Sequence, residues 1–192
     1  MRRENDFYPT PGWATRELLK RQEMGGYIVE PCNGDGDITR ELDQAGLMVM
    51  TNDLDRNRQA ASHEDATDWR FWDGLSVCHW VVSNPPFSVA DKIVPMAFRR
   101  ATMGVAMLLR ISYLEPCEGR GAWLAMYPPT RLIVLPRISF TGDGNTDLAT
   151  CAWYVWERGA RGQQITVVNP RDERQGCLLG QESADAGYGH GV

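Results

Sequence analysis

The residues VEPCNGDGD (29–37) join a short apolar strand to an amphipathic helix. We predict the strand over residues 27–29 and the helix over residues 38–45, where apolar positions recur at helical spacing and Gly46 ends the pattern. A turn rich in glycine and aspartate between a strand and a helix lies at the carboxyl end of the strand, where open α/β sheets bind their ligands. These nine residues therefore predict an α/β fold and the place of a ligand site within it.

Apolar and amphipathic segments continue to alternate along the chain. We predict further strands over residues 47–50, 79–82 and 105–111, and further helices over residues 11–24, from 56 onward and over 90–100. Strands that alternate with helices form parallel sheets covered on both faces. The expected fold is therefore α/β and Rossmann-like, with a mostly parallel sheet.

The two ends of this pattern have their own signals. Thr10 is predicted as the N-cap of the first helix, with Pro11 in the first helical position. Near the C-terminus, residues 132–135 and 151–156 predict an antiparallel hairpin, and residues 165–168 predict a last edge strand.

The length and composition fit one soluble domain. The chain has 192 residues, and we predict a single domain over residues 1–174 and a flexible tail over residues 175–192, which are poor in large apolar residues. No apolar run approaches the roughly 18 residues of a membrane span, and the N-terminus does not resemble a signal peptide. Five cysteines without CxxC spacing and three scattered histidines predict no metal site. We therefore expect reduced, mostly buried thiols in a cytoplasmic protein.

The net charge of −5 argues against a general nucleic-acid coat, but its distribution is uneven. Residues 1–96 carry 10 basic and 16 acidic side chains, whereas residues 97–174 carry 10 basic and 7 acidic ones. Arginine makes up 18 of the 20 basic residues, and its planar fork suits phosphates and guanine edges, although a GC-rich genome would produce the same usage. The acidic half suits a cationic cofactor, and the arginine-bearing half could face a polyanion.

The loop at residues 29–37 does not fit a dinucleotide. Thr39 replaces the third glycine of the GxGxxG fingerprint, and Asp35 and Asp37 would stand where a pyrophosphate needs neutral or positive surroundings. S-adenosylmethionine has no phosphate and carries a sulfonium and an ammonium group, so it tolerates nearby carboxylates. The alternative interpretation is a tight strand-to-helix turn without a ligand.

Acidic residues also follow the next strand. Asp53 lies 19 residues after Gly34 and is predicted to accept hydrogen bonds from both hydroxyls of a ribose, whereas Asp55 fits a helix N-cap better. Farther along, Asp65 is predicted to accept from the amino group of the cofactor's adenine if the register places it there. Asp68 is an alternative cap for the next turn.

The stretch VVSNPPF (81–87) carries the chemistry. Two prolines after a buried strand end the hydrogen bonding of that strand to its neighbours in the sheet. They also hold the Asn84 and Pro85 carbonyls pointing away from the sheet. An amide oxygen and a backbone carbonyl held together can accept both hydrogens of a planar amino group. This withdraws the nitrogen lone pair from ring conjugation and directs it toward a methyl donor, without a strong general base. Phe87 adds a flat surface for the substrate ring, so Asn84, Pro85, Pro86 and Phe87 are predicted as the catalytic residues.

Residues 6–158 resemble a class I S-adenosylmethionine-dependent methyltransferase. The motif order and the segment FYPTPGW (7–13) resemble most closely the N6-adenine DNA methyltransferases, especially small orphan enzymes of phage or prophage type. The resemblance implies a Rossmann-like fold with a seven-stranded, mostly parallel sheet and an antiparallel C-terminal hairpin. It also implies that residues 30–36 bind the methionine part of the cofactor and that residues 7–13 close over it.

The resemblance further implies the reaction and its contacts. A methyl group is transferred from S-adenosylmethionine to N6 of an adenine flipped out of double-stranded DNA, because the amino group is inaccessible inside the duplex. Such enzymes serve epigenetic marking or restriction-modification. The expected cofactor contacts come from the N-terminal segment, the loop, the acidic strand ends and the proline motif: Tyr8, Thr10, Pro11, Glu30, Pro31, Asn33, Gly34, Gly36, Asp53, Leu54, Asp65, Ala66 and Asn84.

Few residues outside the motifs of the resemblance are available to recognise a DNA sequence. The resemblance implies a second aromatic residue against the flipped base, for which we predict Phe140, but only the segments 113–130 and 136–149 are left for target recognition. A homodimer on a palindromic site would solve this geometrically. Arg120, Arg131 and Arg137 are candidate DNA contacts, although each also fits a solvated surface charge.

Two alternatives remain open. The same chemistry could act on RNA or on a protein glutamine, because methyltransferases for those substrates share the Asn-Pro-Pro-Phe or Asn-Pro-Pro-Tyr motif. A catalytically silent DNA-binding relative could keep the fold, but the intact motif at residues 84–87 argues against it.

Overall fold

A computed structural model describes residues 8–138 and 150–170. Within these ranges the helices are α1 (Gly12–Leu19), α2 (Asp37–Gln44), α3 (Trp69–Gly74), α4 (Ala90–Arg100) and α5 (Arg120–Met126). The strands are β1 (Tyr27–Glu30), β2 (Met48–Thr51), β3 (Trp80–Ser83), β4 (Gly104–Arg110), β5 (Arg131–Val134), β6 (Cys151–Glu157) and β7 (Gln164–Val167). None of the described helices is both long enough and apolar enough to cross a membrane.

The seven described strands form one sheet in the order β2-β1-β3-β4-β6-β5-β7. Strands β1 to β4 pair in parallel, β6 lies antiparallel between β4 and β5, and β7 pairs in parallel with β5 at the edge. Six strands therefore point the same way and β6 is reversed. The prediction of a mostly parallel seven-stranded sheet with an antiparallel C-terminal hairpin is confirmed. The predicted tail, residues 175–192, lies outside the described residues.

The start of α1 differs from the prediction. Pro11 occupies the N-cap position with extended backbone, and no side chain caps the helix. The Thr10 hydroxyl is used elsewhere, because it accepts a hydrogen bond from Nδ2 of Asn84 at 3.0 Å. A tertiary contact has therefore replaced the local cap. The helix also ends at Leu19, before the predicted end at Met24.

The polar helix predicted from Arg56 onward is wrong. The Asp55 side chain accepts hydrogen bonds from both the backbone and the side-chain nitrogen of Asn57, which forms an Asx turn in place of a helical turn. The backbone of Ala61 then donates to the Thr51 carbonyl, so the segment returns to the end of β2. The next helix, α3, begins only after Asp68, whose carboxylate caps it by accepting from the Arg70 backbone.

The core centres on β4 and β6, in each of which six of seven residues are buried. Trp153 on β6 is fully buried and donates from Nε1 to the Ala14 carbonyl oxygen at 2.7 Å. This bond fastens α1 to the sheet. The core thereby fixes the segment before α1, which enters the candidate site.

Gly104 at the start of β4 has no room for a side chain. A Cβ at this position would lie 2.4 Å from Cζ3 of Trp80 and 2.8 Å from the Trp156 carbonyl oxygen. Gly104→Ala is therefore expected to lower the free energy of unfolding by about 1–3 kcal/mol, the usual cost of overpacking a core. Urea unfolding followed by tryptophan fluorescence measures this change.

Gly74→Ala is the matched control. A Cβ at Gly74 meets no atom within 4 Å, so the free energy of unfolding should change by less than about 0.5 kcal/mol or rise slightly. Equal losses in the two variants would contradict the packing explanation for Gly104.

Candidate active site

The carboxyl ends of β1, β2 and β3 open into a cavity of about 1200 Å³. Its walls come from the segment before α1, the loop after β1, the loops between β2 and α3, and the start of α4. Most of the residues predicted to bind a cofactor line it: Tyr8, Thr10, Pro31, Asn33, Gly34, Asp53, Leu54, Asp65, Ala66 and Asn84. Pro11, Glu30 and Gly36 belong to the same segments but do not form its lining.

The glycine-rich loop has a fixed shape. Gly34 and Gly36 adopt φ values of 55° and 75°, in the left-handed region that favours glycine. The Gly34 backbone N–H donates to Oδ2 of Asp53 at 2.7 Å, which ties the loop to the residues after β2.

Asn52 organises this side of the cavity and was not among the predicted residues. It is fully buried, and its Nδ2 donates to the carbonyls of Pro31 and Glu64 at 3.0 and 2.9 Å. Its Oδ1 accepts from the Ser62 hydroxyl and from the Glu64 backbone N–H. Every hydrogen-bonding position of the amide is used, so Asn52 joins the loop after β1 to the loop after β2. Its place directly after an apolar strand was the available sequence signal.

Glu30 supports the site from behind. Its Oε1 accepts from the Cys32 backbone N–H at 3.0 Å and from the Ser83 hydroxyl at 2.6 Å, while Oε2 has no hydrogen-bond partner. Burial raises the pKa of Glu30 to about 8, against the lowering effect of these two hydrogen bonds. The carboxyl group is therefore neutral at neutral pH, and it joins the loop after β1 to the end of β3.

The cavity lining is strongly acidic. It contains six carboxylates and two arginines, Arg56 and Arg58. Arg58 forms a close ion pair with Asp35 and lies 3.8 Å from a carboxylate oxygen of Asp55. No group of three or more His, Cys, Asp or Glu side chains in residues 8–138 and 150–170 is arranged to hold a metal ion. The excess of carboxylates over arginines favours a cationic ligand in this cavity.

Asn84 is held by the segment before α1. Its Nδ2 donates to the Tyr8 carbonyl oxygen at 2.9 Å and to the Thr10 hydroxyl at 3.0 Å. These contacts use both N–H groups of the amide and turn its Oδ1 away from them. The side chain is half-buried and lines the cavity, so Oδ1 is available as an acceptor there.

The other members of the Asn-Pro-Pro-Phe motif have different surroundings. Pro86 lines the cavity, whereas Pro85 is buried behind it. Phe87 packs against the core, with its ring stacked on Tyr8 at 5.7 Å between centroids and 21° between planes. The Arg110 guanidinium also lies over Phe87, 4.8 Å from the ring centroid. Arg110 was not among the predicted residues. The only sequence signal for it was a lone charge at the end of an apolar strand.

The predicted DNA-contact arginines are placed differently from one another. Arg137 follows the carboxyl end of β5 and is exposed at the site edge, whereas Arg131 begins β5 and lies at the opposite edge. Arg120 is largely buried against the Tyr113 ring and bonds Asp91 at 3.3 Å, so this side chain has a packing role. Phe140 lies outside the described residues.

Comparison with known proteins relates this architecture to the methyltransferases. No protein-family model and no curated protein matches the sequence. Among solved structures, the M protein of the type I restriction enzyme EcoKI matches with a TM-score of 0.62 and 13% identity, over 81% of this chain and 44% of that chain. A candidate class I S-adenosylmethionine-dependent methyltransferase from Listeria monocytogenes matches with a TM-score of 0.57 and 11% identity, over 90% and 69%.

An RNA-modifying enzyme is similar to the same degree. The 23S rRNA methyltransferase ErmE matches with a TM-score of 0.55 and 13% identity, over 94% of this chain and 80% of that chain. At these identities the likeness is one of fold, and the chain has the Rossmann-like fold of the class I methyltransferases. It spans less than half of the length of the EcoKI M protein, at 44%.

Glu30→Gln is expected to remove a pH-dependent loss of stability. Glu30 has a pKa of about 8 in the folded protein and 4.5 as its reference value, so between these values unfolding releases a proton. The wild type should therefore lose about 1.4 kcal/mol of unfolding free energy per pH unit relative to the variant as the pH rises through this window. Above about pH 8 the difference should stay constant.

Urea unfolding of both proteins across this pH range measures the effect. The two profiles should diverge with rising pH, with the variant the more stable protein at the upper end. Parallel profiles would mean that Glu30 is already ionised in the folded protein.

Proposed function

We propose that this chain is an S-adenosylmethionine-dependent methyltransferase that acts on N6 of a flipped adenine in double-stranded DNA. The amide of Asn84 carries this proposal. Both of its N–H groups are committed to Tyr8 and Thr10, which leaves Oδ1 as an acceptor at the cavity. The Pro85 carbonyl is the second acceptor in the proposal. Two fixed acceptors suit a planar amino group, which has two hydrogens to donate.

The cavity fits the cofactor in charge and in size. Its six carboxylates and two arginines favour a ligand that carries a sulfonium and an ammonium group. Its volume of about 1200 Å³ exceeds the roughly 300–1,000 Å³ of most small-molecule sites, so a cofactor and an entering base have room together. We assign the ribose hydroxyls to Asp53 and the cofactor's adenine to Asp65 and the exposed side chain of Leu54.

The chain's own residues would act by orientation. The cofactor, when bound, supplies an electrophilic methyl group on its sulfonium. Oδ1 of Asn84 and the Pro85 carbonyl accept the two N–H groups of the substrate, which draws the nitrogen lone pair out of conjugation. The same two dipoles stabilise the positive charge that develops on the nitrogen. The methylated nitrogen is then acidic and loses its surplus proton to water, so no strong base is required.

The choice of DNA rests on three further features. The N-terminal segment at residues 7–13 resembles that of the DNA adenine enzymes. Arg137 is exposed at the site edge, and Arg110 lies over Phe87 beside the motif. We assign Phe140 to the flipped base, whereas Phe87, whose ring packs against Tyr8 and Arg110, would support the motif from behind. A two-fold dimer on a palindrome remains part of the proposal. The fold alone favours neither DNA nor RNA, because both restriction and ribosomal-RNA enzymes share it.

Asp53→Ala is expected to weaken S-adenosylmethionine binding by about 10- to 100-fold. The change removes the proposed ribose acceptor and also frees the Gly34 N–H that shapes the loop. Isothermal titration calorimetry measures the dissociation constant. Asp43→Ala, on the exposed face of α2, is the matched control and should bind within about twofold of the wild type. Equal affinities for the two variants would contradict the assignment of Asp53.

Asn84→Ala is expected to lower the rate of methyl transfer by at least about a hundredfold, as losing one preorganised hydrogen-bonding group does in other enzymes. The dissociation constant of S-adenosylmethionine should change by less than about tenfold, because Asn84 acts on the substrate. A rate near that of the wild type would rule out this role.

The substrate itself is tested in cells that lack adenine methylation. Wild-type and N84A chains are expressed, and the plasmid is read for modified bases by long-read sequencing. Methylated adenine in the wild type alone supports the proposal. Unmodified DNA beside abundant folded protein overturns the assignment to DNA, and methylated RNA or protein glutamine then identifies the alternative substrate.

A further inference from the structure

Thr10 and the backbone of Tyr8 stand directly behind the Asn84 amide. Thr10 is 5% exposed, and its hydroxyl oxygen accepts from Nδ2 of Asn84 at 3.0 Å. The Tyr8 carbonyl oxygen accepts from the same nitrogen at 2.9 Å. A carbonyl oxygen can only accept, so the group that faces it must be the amide nitrogen. This chemistry fixes which end of the Asn84 amide faces the cavity.

The two acceptors are themselves held in place. The Tyr8 ring stacks on Phe87, three residues beyond Asn84. On the other side of Thr10, the Ala14 backbone N–H donates to the Pro11 carbonyl, and the Ala14 carbonyl accepts from buried Trp153. The segment before α1 is therefore fixed at both ends, by the motif and by the core.

We propose that Thr10 is a positioning residue whose hydroxyl, together with the Tyr8 carbonyl, sets the orientation of the Asn84 amide and makes this site specific for asparagine over aspartate. The inference rests on the proposed function, in which Oδ1 of Asn84 holds the substrate amino group. An aspartate could offer the same acceptor to a substrate. It has no donor for the Tyr8 carbonyl, and its second oxygen would face that carbonyl instead.

Loss of the Thr10 hydroxyl should therefore affect the reaction more than cofactor binding. With one acceptor gone, an N–H of Asn84 loses its partner, and the amide is no longer confined to the orientation that aims Oδ1 at the substrate. When the amide is misoriented, the lone pair of the substrate amino nitrogen is not aligned with the methyl group of the cofactor. The chemical step then slows.

Two variants of the full chain test the role of the hydroxyl. Thr10→Val, which replaces the hydroxyl by a methyl group, should lower the single-turnover rate on unmethylated duplex DNA about tenfold at saturating cofactor. The dissociation constant of S-adenosylmethionine should stay within about threefold, because valine keeps the wall that Thr10 presents to the cavity and only the hydroxyl contact with Asn84 is lost. Thr10→Ser restores an acceptor and should recover most of the lost rate. A T10V rate near that of the wild type, or a loss explained wholly by weaker cofactor binding, would overturn the proposal.

Thr130→Val is the matched control for stability. The Thr130 hydroxyl donates to the Val155 carbonyl and accepts from the Glu157 backbone, at the sheet edge opposite the site. This variant loses a hydroxyl with two hydrogen bonds, so its melting temperature should fall at least as far as that of T10V. Its methylation rate should remain within about twofold of the wild type. A rate loss as large as that of T10V would attribute the effect to stability and overturn the positioning role.

Asn84→Asp tests the specificity for asparagine. The proposal predicts a loss of at least about tenfold in the methylation rate, because the carboxylate cannot donate to the Tyr8 carbonyl. A rate close to that of the wild type would overturn the asparagine specificity, since Oδ1 alone would then be sufficient.

A spectroscopic readout separates this inference from the choice of substrate. The side-chain NH₂ signals of Asn84 in a ¹⁵N-labelled protein are assigned by their disappearance in N84D. They should move in T10V and return toward their wild-type positions in T10S. If the wild type methylates no DNA, the proposed function is wrong. The NH₂ signals still test the positioning role in that case, because they do not depend on the substrate. Signals that are identical in T10V and wild type would overturn the positioning role.

Discussion

The site depends on one buried carboxyl group, that of Glu30 at the end of β1. Its Oε1 accepts from Cys32 in the glycine-rich loop and from Ser83, the residue before Asn84. The bond to Ser83 runs between β1 and β3, which are neighbours in the sheet although 53 residues separate the two partners in sequence. Burial keeps the group neutral, so it can join the two strands without leaving an uncompensated charge in the core.

Asn52 and Asn84 use the same amide group for different purposes. Asn52 has every donor and acceptor position occupied by protein atoms, and it joins the loops that follow β1 and β2. Asn84 has both N–H groups occupied, while its oxygen remains available at the cavity. An amide whose N–H groups and oxygen are all hydrogen-bonded within the protein contributes to the fold. An amide whose N–H groups alone are bonded keeps its oxygen, in a fixed direction, as an acceptor for a ligand.

Much of the fold followed from local patterns. The strand and loop around residues 27–37, the helix over residues 90–100 and the antiparallel hairpin were predicted because apolar runs and glycines are local signals. The helix from Arg56 was wrong because the Asx turn at Asp55 competes with helical hydrogen bonding. The N-cap assignment to Thr10 was wrong for a different reason: its hydroxyl has a partner 74 residues away in sequence.

The supporting contacts of the site could not be predicted in the same way. The role of Glu30 behind the loop and the place of Arg110 over Phe87 depend on which strands are neighbours in the sheet. Strand order is a tertiary property, and the sequence alone supplied the residue types without their partners. The motif residues were easier to identify because each group lies within a few consecutive positions at a strand end.

The order of the strands also separates the charges of the site in space. The N-terminal half of the sequence is acidic and the C-terminal half carries more arginine, and the two halves form different parts of the sheet. The carboxylates of the cavity belong to the loops after β1 and β2, on one half of the site edge. Arg110 ends β4 and Arg137 follows β5, on the other half of that edge. Asn84 directly follows β3, between the two halves. In the proposed reaction, a cationic methyl donor and a polyanionic substrate would approach from opposite sides, and their reacting groups would meet where the Asn84 oxygen is held.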